Sequence, residues 1–319
     1  MERSKIKLDA ASAISMGQRE YQEDALITDF TQGSDLGIAV LADGMGGHAA
    51  GDIASKIAVT EVFSELKLQS GDLDQFEIEA PDILRDAVLA ANECIGGHSA
   101  VNAETRGMGS TLLALAFVQD RMFWASVGDS PLYCYSEGQL ARLNADHSMA
   151  PQIDLMVSLG QMTEEEAREH PERNCLTSVL CGAQVARMDC PNAPMILVPG
   201  EVLIAASDGL QFLDDEEIAG ILRRNHRKSA AEIAAALMAA LDALGDPDQD
   251  NITLTVIKVL PVKEARRQAS ASSIPFLHQK SREAEFTPEP ELAMAEPEPT
   301  PRQRPRSSLP WLFRRWKTQ

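Results

Sequence analysis

Cysteine is scarce in this chain and nowhere paired. The five residues Cys94, Cys134, Cys175, Cys181 and Cys190 are odd in number and include no CxxC. That disfavours a disulfide framework or a zinc site and fits reduced thiols of a cytosol. Long apolar runs are also lacking. The uncharged run around 107–119 falls well short of the ~18 residues that a membrane span needs. The opening MERSKIKLD is charged and has no apolar core of a signal peptide. Positive charge is in deficit, and a formal net charge of −19 argues against a nucleic-acid partner. These absences point to a cytoplasmic protein.

What is present is the composition of a globular domain. Hydrophobic residues make up 44% and charged residues 24% of 319, enough to bury a sizeable core. Charge is unevenly spread. From residue 262 onward there are 11 Lys and Arg against 7 Glu, a net of +4, which leaves −23 on the body before it. The same stretch holds 8 of the 17 prolines. We read 1–261 as the folded domain and 262–319 as a disordered tail rich in Pro, Glu and Arg.

Periodicity in the body predicts a helix over about 48–67, from Ala54, Ala58, Val62 and Leu66. A second helix is expected to open near Pro81, with proline in its first turn. A third opens at the capping box Ser229–Glu232 and closes at Gly245. Strands are expected at 24–30, 37–42, 111–118, 122–127, 132–136, 201–206 and 252–260. Strands come in runs and helices in pairs, which indicates α+β with antiparallel sheets.

One chemical pattern recurs. GIAVLADG (37–44), MFWASVGDS (122–130) and EVLIAASDG (201–209) are apolar runs that end in a small residue, then Asp, then Gly or Ser. Asp250 stands just before a strand, and Glu23 and Asp24 stand at the start of one. A buried strand delivers its terminal carboxylate to a fixed place at the sheet edge. Asp after a strand is common as a turn former, but five at the same structural position can converge. Clustered carboxylates stay ionised only with a cation, and an oxygen-only set suits Mg²⁺ or Mn²⁺. Two such ions can clamp a phosphoryl group. The Gly44-x-Gly46 turn superficially fits a dinucleotide fingerprint. It fails on context, because Asp43 would face a pyrophosphate and no further βαβ units follow.

Taken in order, REYQED (19–24), LADGMGGHAAG (41–51), GMGSTLLAL (107–115), VGDS (127–130), ASDG (206–209) and DN (250–251) resemble the metal-dependent protein phosphatases, the PPM or type 2C family, in their bacterial form. Residues about 146–182 are similar to that family's flap region. The resemblance implies a four-layer αββα sandwich, two antiparallel β-sheets flanked by pairs of helices. It implies phosphoserine and phosphothreonine hydrolysis by a metal-bridging water, in signalling opposite a Ser/Thr kinase. By position, Asp43 would bridge two Mn²⁺ or Mg²⁺ ions and Gly44 would lend a carbonyl. Asp208 and Asp250 would hold one ion, with Glu23 and Asp24 serving the other directly or through water. Asp129 would belong to a third, weaker site. Arg19 would bind phosphate, in keeping with a planar guanidinium facing phosphate oxygens. His48 is the candidate general acid, with His147 second and a plain histidine at a helix N-terminus as the alternative. The chain departs from the usual GDSR motif, since Pro131 stands in place of the arginine. Two other readings stay open: a phosphatase-like domain that binds phosphoproteins without turnover, and, remotely, a dinucleotide enzyme.

The tail ends in LPWLFRRWK (309–317), which carries two of the three tryptophans. Docking on a partner protein, weak contact with an anionic membrane surface, or folding back on the acidic body would each occupy these residues. A segment this short is a poor lasting membrane anchor, so protein docking is the preferred reading.

Overall fold

The computed structural model describes residues 6–47 and 49–262. His48, the 262–319 tail beyond its first residue and the 309–317 motif lie outside the described residues. In chain order the elements are β1 (Ile6–Ser15), β2 (Asp24–Asp29), β3 (Leu36–Met45), α1 (Ala49–Gln69), α2 (Leu73–Val101), β4 (Gly109–Ser110), β5 (Leu112–Val118), β6 (Arg121–Val127), β7 (Leu132–Ser136), β8 (Gln139–Arg142), α3 (Ala150–Ser158), α4 (Glu164–Arg168), β9 (Met195–Ile196), β10 (Val202–Ala206), α5 (Asp215–Asn225), α6 (Ala230–Leu244) and β11 (Ile252–Pro261).

Strand alternation sets the layers. On β5, Leu112, Ala114, Ala116 and Val118 pack with α1 and α2 residues such as Ala58, Val62, Leu84 and Val88. The intervening Leu113, Leu115 and Phe117 face the other way and meet Leu203, Ala205, Ile257 and Val259. On the far side, Val202, Ile204, Leu254 and Val256 pack with Ile218, Leu222, Ile233 and Leu237 of α5 and α6. Period-2 strands with two apolar faces thus build three cores between four layers. One sheet runs β1-β11-β10-β7-β8 and the other β2-β3-β5-β6-β9, with β4 paired to β3. All the strand pairs are antiparallel.

The expected strands are present within a few residues of their predicted ends. The α6 capping box is formed in both directions, and Gly245 closes the helix with φ +61°. The second helix needs correction, because Pro81 lies in the interior of α2 and not in its first turn. Asp72 starts this helix, its carboxylate accepting from the N–H groups of Asp74 and Gln75. An interior proline costs about 3 kcal/mol. Burial of Phe76, Ala80, Leu84, Val88, Ala91 and Ile95 along the face of α2 offsets it. Strand β1 was not anticipated, since its Ala- and Ser-rich sequence has weak strand propensity. It forms because ten of its residues pair in register with β11. Among the described residues no helix is long and apolar enough to cross a membrane.

Candidate active site

Strand registers bring the acidic residues to one end of the sandwich. Asp24 and Asp43 are directly opposite each other across β2 and β3. Leu41 pairs with Leu113, and Leu112 with Val127, so Asp43 and the Asp129 loop leave the same edge of that sheet. In the other sheet Ala206 pairs with Leu254, which places Asp208 after β10 and Asp250 before β11 at a common edge. The two edges are stitched together by hydrogen bonds. Ser207 Oγ donates to Asp24 Oδ2 at 2.8 Å, and the Glu23 N–H donates to Asn251 Oδ1 at 2.7 Å.

Side chains hold each carrier segment. The Asp43 N–H donates to Thr111 Oγ1 at 2.9 Å, and the Thr111 N–H returns a bond to the Asp43 carbonyl at 2.8 Å. Asn251 Nδ2 donates at 3.0 Å to both Met16 and Tyr21 carbonyls, bracketing the loop that carries Arg19. The Gly44 N–H donates to the Glu23 carbonyl at 3.1 Å. A Cβ on Gly44 would collide with the Gly51 carbonyl, and one on Gly51 with the Glu23 carboxylate. Both positions therefore require glycine if β3, α1 and Glu23 are to pack this closely.

The electrostatics follow from this crowding. Desolvation, with Asp208, Asp24, Asp129 and Asp250 nearby, drives the Asp43 carboxyl well above the usual carboxylate range. Burial raises Asp24 to about 7 although the Ser207 bond opposes it. Asp129 is pushed up to about 7, by burial first and then by Asp208 and Asp146. Asp208 rises to about 6, from burial and Asp250. Its buried Oδ1 has no hydrogen-bond partner. Among the described residues no group of three or more His, Cys, Asp and Glu side chains is already closed around one ion position. The fit is electrostatic: oxygen donors only, mutually repelling and desolvated, one of them unsatisfied. Such a set suits a hard divalent cation that keeps some of its water.

Arg19 joins this cluster, its Nη2 paired with Asp250 Oδ2 at 2.6 Å while the side chain stays 55% exposed. His147 is a buried fixture, not an exposed proton donor. Its Nδ1 accepts from the Gly128 N–H at 3.2 Å, and burial lowers its pKa.

The family model for protein phosphatase 2C matches residues 12–244. The chain belongs to the protein phosphatase 2C family. A putative protein phosphatase 2C-type of Streptococcus pyogenes is 34% identical over 65% of this chain and 81% of its own length. The crystal structure of Mycobacterium tuberculosis serine/threonine phosphatase PstP/Ppp superposes with a TM-score of 0.66 at 28% identity, over 80% of this chain and 99% of that one. A structure of the PstP catalytic domain in complex with two manganese ions gives a TM-score of 0.64 at 28% identity, over 80% and 99%. The αββα sandwich is thus the phosphatase 2C fold.

Within this family frame, the sequence reading left Ser207, Asn251, Thr111 and Arg142 without roles. Ser207, Asn251 and Thr111 lie in recognised motifs, but their partners are remote in the chain, as Asn251 bonds Glu23 across 228 positions. Arg142 lies outside the motifs and bonds the Asp129 carbonyl and Asp146 across a short stretch of chain. The raised carboxyls also predict a pH response. In metal-free protein the folded state holds extra protons on Asp24 and Asp129 between their unfolded pKa values and about 7. Stability from this source is full at low pH and is lost as pH rises through 7. Melting without metal should therefore show Tm declining from pH 5 to 8, a slope that Mn²⁺ reduces and Asp24→Asn flattens. A Tm that climbs across this range, in wild type and Asp24→Asn alike, would contradict the assignment.

Proposed function

We propose that this chain is a bacterial Mg²⁺- or Mn²⁺-dependent protein serine/threonine phosphatase, acting in the cytoplasm on phosphoproteins made by a cognate Ser/Thr kinase. The observation that carries the proposal is the convergence of Asp24, Asp43, Asp129 and Asp208, each with a raised pKa, where two sheet edges meet. Family membership supports it.

In this reading Asp43 would hold two ions, with the Gly44 carbonyl as a further oxygen donor. Asp208 and Asp250 would hold one of them. Glu23 and Asp24 would serve the other directly or through water, while one Asp24 oxygen accepts from Ser207. Asp129 would hold a third. When bound, the ions supply the Lewis acidity that makes water a nucleophile near neutral pH and neutralises phosphoryl charge. Arg19 orients the phosphate, its exposed guanidinium swinging from Asp250 toward the substrate oxygens. His48 is retained as the candidate proton donor to the leaving serine or threonine oxygen. Residues 1–261 form the phosphatase domain, and the 309–317 motif docks a protein partner so that the tail raises local substrate concentration.

Phosphate release from a small ester should require Mn²⁺ or Mg²⁺ and stop with chelator. Asp43→Asn and Asp208→Asn should each lower kcat at least about a hundredfold, as expected when preorganised charge is removed. A wild-type protein that binds Mn²⁺ and phosphopeptide yet releases no phosphate would instead be the binding module.

For Arg19→Ala the expected result is a KM for phosphopeptide about tenfold higher, with a smaller change in kcat, the loss of one charge-assisted contact. An unchanged KM with a collapsed kcat would assign Arg19 to holding Asp250. Deleting residues 305–319 should leave small-ester turnover intact and slow dephosphorylation of the native phosphoprotein. Equal rates on both substrates would remove the docking role.

A further inference from the structure

The Asp129 loop is held residue by residue by the segment that leads into the flap. The Gly128 N–H donates to His147 Nδ1 at 3.2 Å, and the His147 N–H donates to the Gly128 carbonyl at 3.1 Å. Asn144 Nδ2 donates to the Ser130 carbonyl at 3.0 Å, and Asn144 Oδ1 accepts from the Leu132 N–H at 2.8 Å. Asp129 itself is held by Arg142, at the end of β8. Arg142 Nη2 donates to the Asp129 carbonyl at 2.6 Å, and Nη1 pairs with Asp146 Oδ2 at 2.9 Å.

This ion pair is not a loose surface contact, since the two side chains are only 20% and 19% exposed. The fork of a guanidinium lets one group bridge two segments at once, which an ammonium does poorly. Asp146 is fixed further, its Oδ1 accepting from the Ser148 N–H at 2.9 Å. The His147 carbonyl accepts from the Thr177 N–H at 2.7 Å, where the chain returns from α3 and α4. Arg142 thus joins the strand end bearing Asp129 to the root of the flap. Pro131 leaves the GDSP motif without the usual arginine, and Arg142 brings a guanidinium to this loop from β8.

We propose that Arg142 is a positioning residue: it fixes the Asp129 peptide and locks the flap root onto it, touching neither substrate nor ion. The proposal rests on the reading of Asp129 as a cation ligand. Without the fork, the Asp129 peptide loses its tie to Asp146, the remaining Gly128–His147 and Asn144 bonds hold the loop less firmly, and Asp129 faces Asp146 with no intervening positive charge.

Arg142→Gln and Arg142→Lys, made in the full chain, test this by amide exchange, Mn²⁺ calorimetry, melting and kinetics. Arg142→Gln should speed exchange at the Gly128 and His147 amides at least tenfold. It should weaken the weakest resolved Mn²⁺ step about tenfold, and lower kcat for a small ester with little change in KM. Arg142→Lys should recover part of the Mn²⁺ affinity, because an ammonium can still hold one of the two oxygens, but not the exchange protection, which needs the fork. A lowered Tm with unchanged exchange at these amides, unchanged Mn²⁺ binding and unchanged kcat would overturn the proposal, as would tighter Mn²⁺ binding by Arg142→Gln. If wild type binds no Mn²⁺, the functional reading fails, and exchange at Gly128 and His147 alone decides whether Arg142 holds the loop.

Discussion

Repulsion among desolvated carboxyls is the constraint around which this domain is arranged. Asp43 sits against Asp24, Asp208, Asp129 and Asp250, and every one of these neighbours makes its ionisation harder. Left to themselves, such groups would splay apart or take up protons. Two stacked sheets forbid the first. The strand carrying Asp43 is buried on both faces, and Thr111 fastens its end with reciprocal bonds. The cores above, between and below the sheets therefore do more than stabilise the fold. They resist a local electrostatic strain that a single sheet with a mobile edge would relieve.

That strain explains a division of labour among polar residues. Carboxyls face the shared space, while hydroxyls and amides tie the segments that carry them to one another. Ser207 reaches from one sheet to Asp24 of the other, and Asn251 closes the loop before Glu23. These neutral groups orient carriers without adding charge to a site that already has an excess of one sign. Arg142 carries charge but spends it on a backbone carbonyl and on Asp146, at the rim.

Much of this was legible in the chain itself. An apolar run ending in Asp-Gly or Asp-Ser states both that a strand stops and what it presents, so Asp43, Asp129 and Asp208 could be placed before any coordinates. Capping boxes were equally explicit, as at Ser229. Strand β1 was opaque because its identity comes from its partner: Ala10, Ala11 and Ala13 are strand residues only beside β11. Helix α2 begins well ahead of Pro81 because the Asp72 carboxylate caps it and the buried apolar face beyond outweighs the proline inside it. Helix α5 was missed although Asp214 and Glu217 form a capping box. The contacts of Arg142, Asn144 and His147 with the Asp129 loop span short stretches of chain, but they need the turn from β7 to β8 to bring the two segments together, and no motif marks it.

The pairing of the first strand with the last has a consequence for synthesis. Strand β1 finds its register only on β11, and Glu23 is oriented by Asn251, the residue just ahead of that strand. During translation the amino-terminal acidic segment must wait for almost the whole domain to leave the ribosome. Contacts of such long sequence separation form late. A nascent or truncated chain lacking 251–261 would keep Asp24 opposite Asp43 across β2 and β3 but lose the edge that aligns Asp208 with Asp250 and the Asn251 bond that places Glu23, so the acidic cluster is complete only when the domain is.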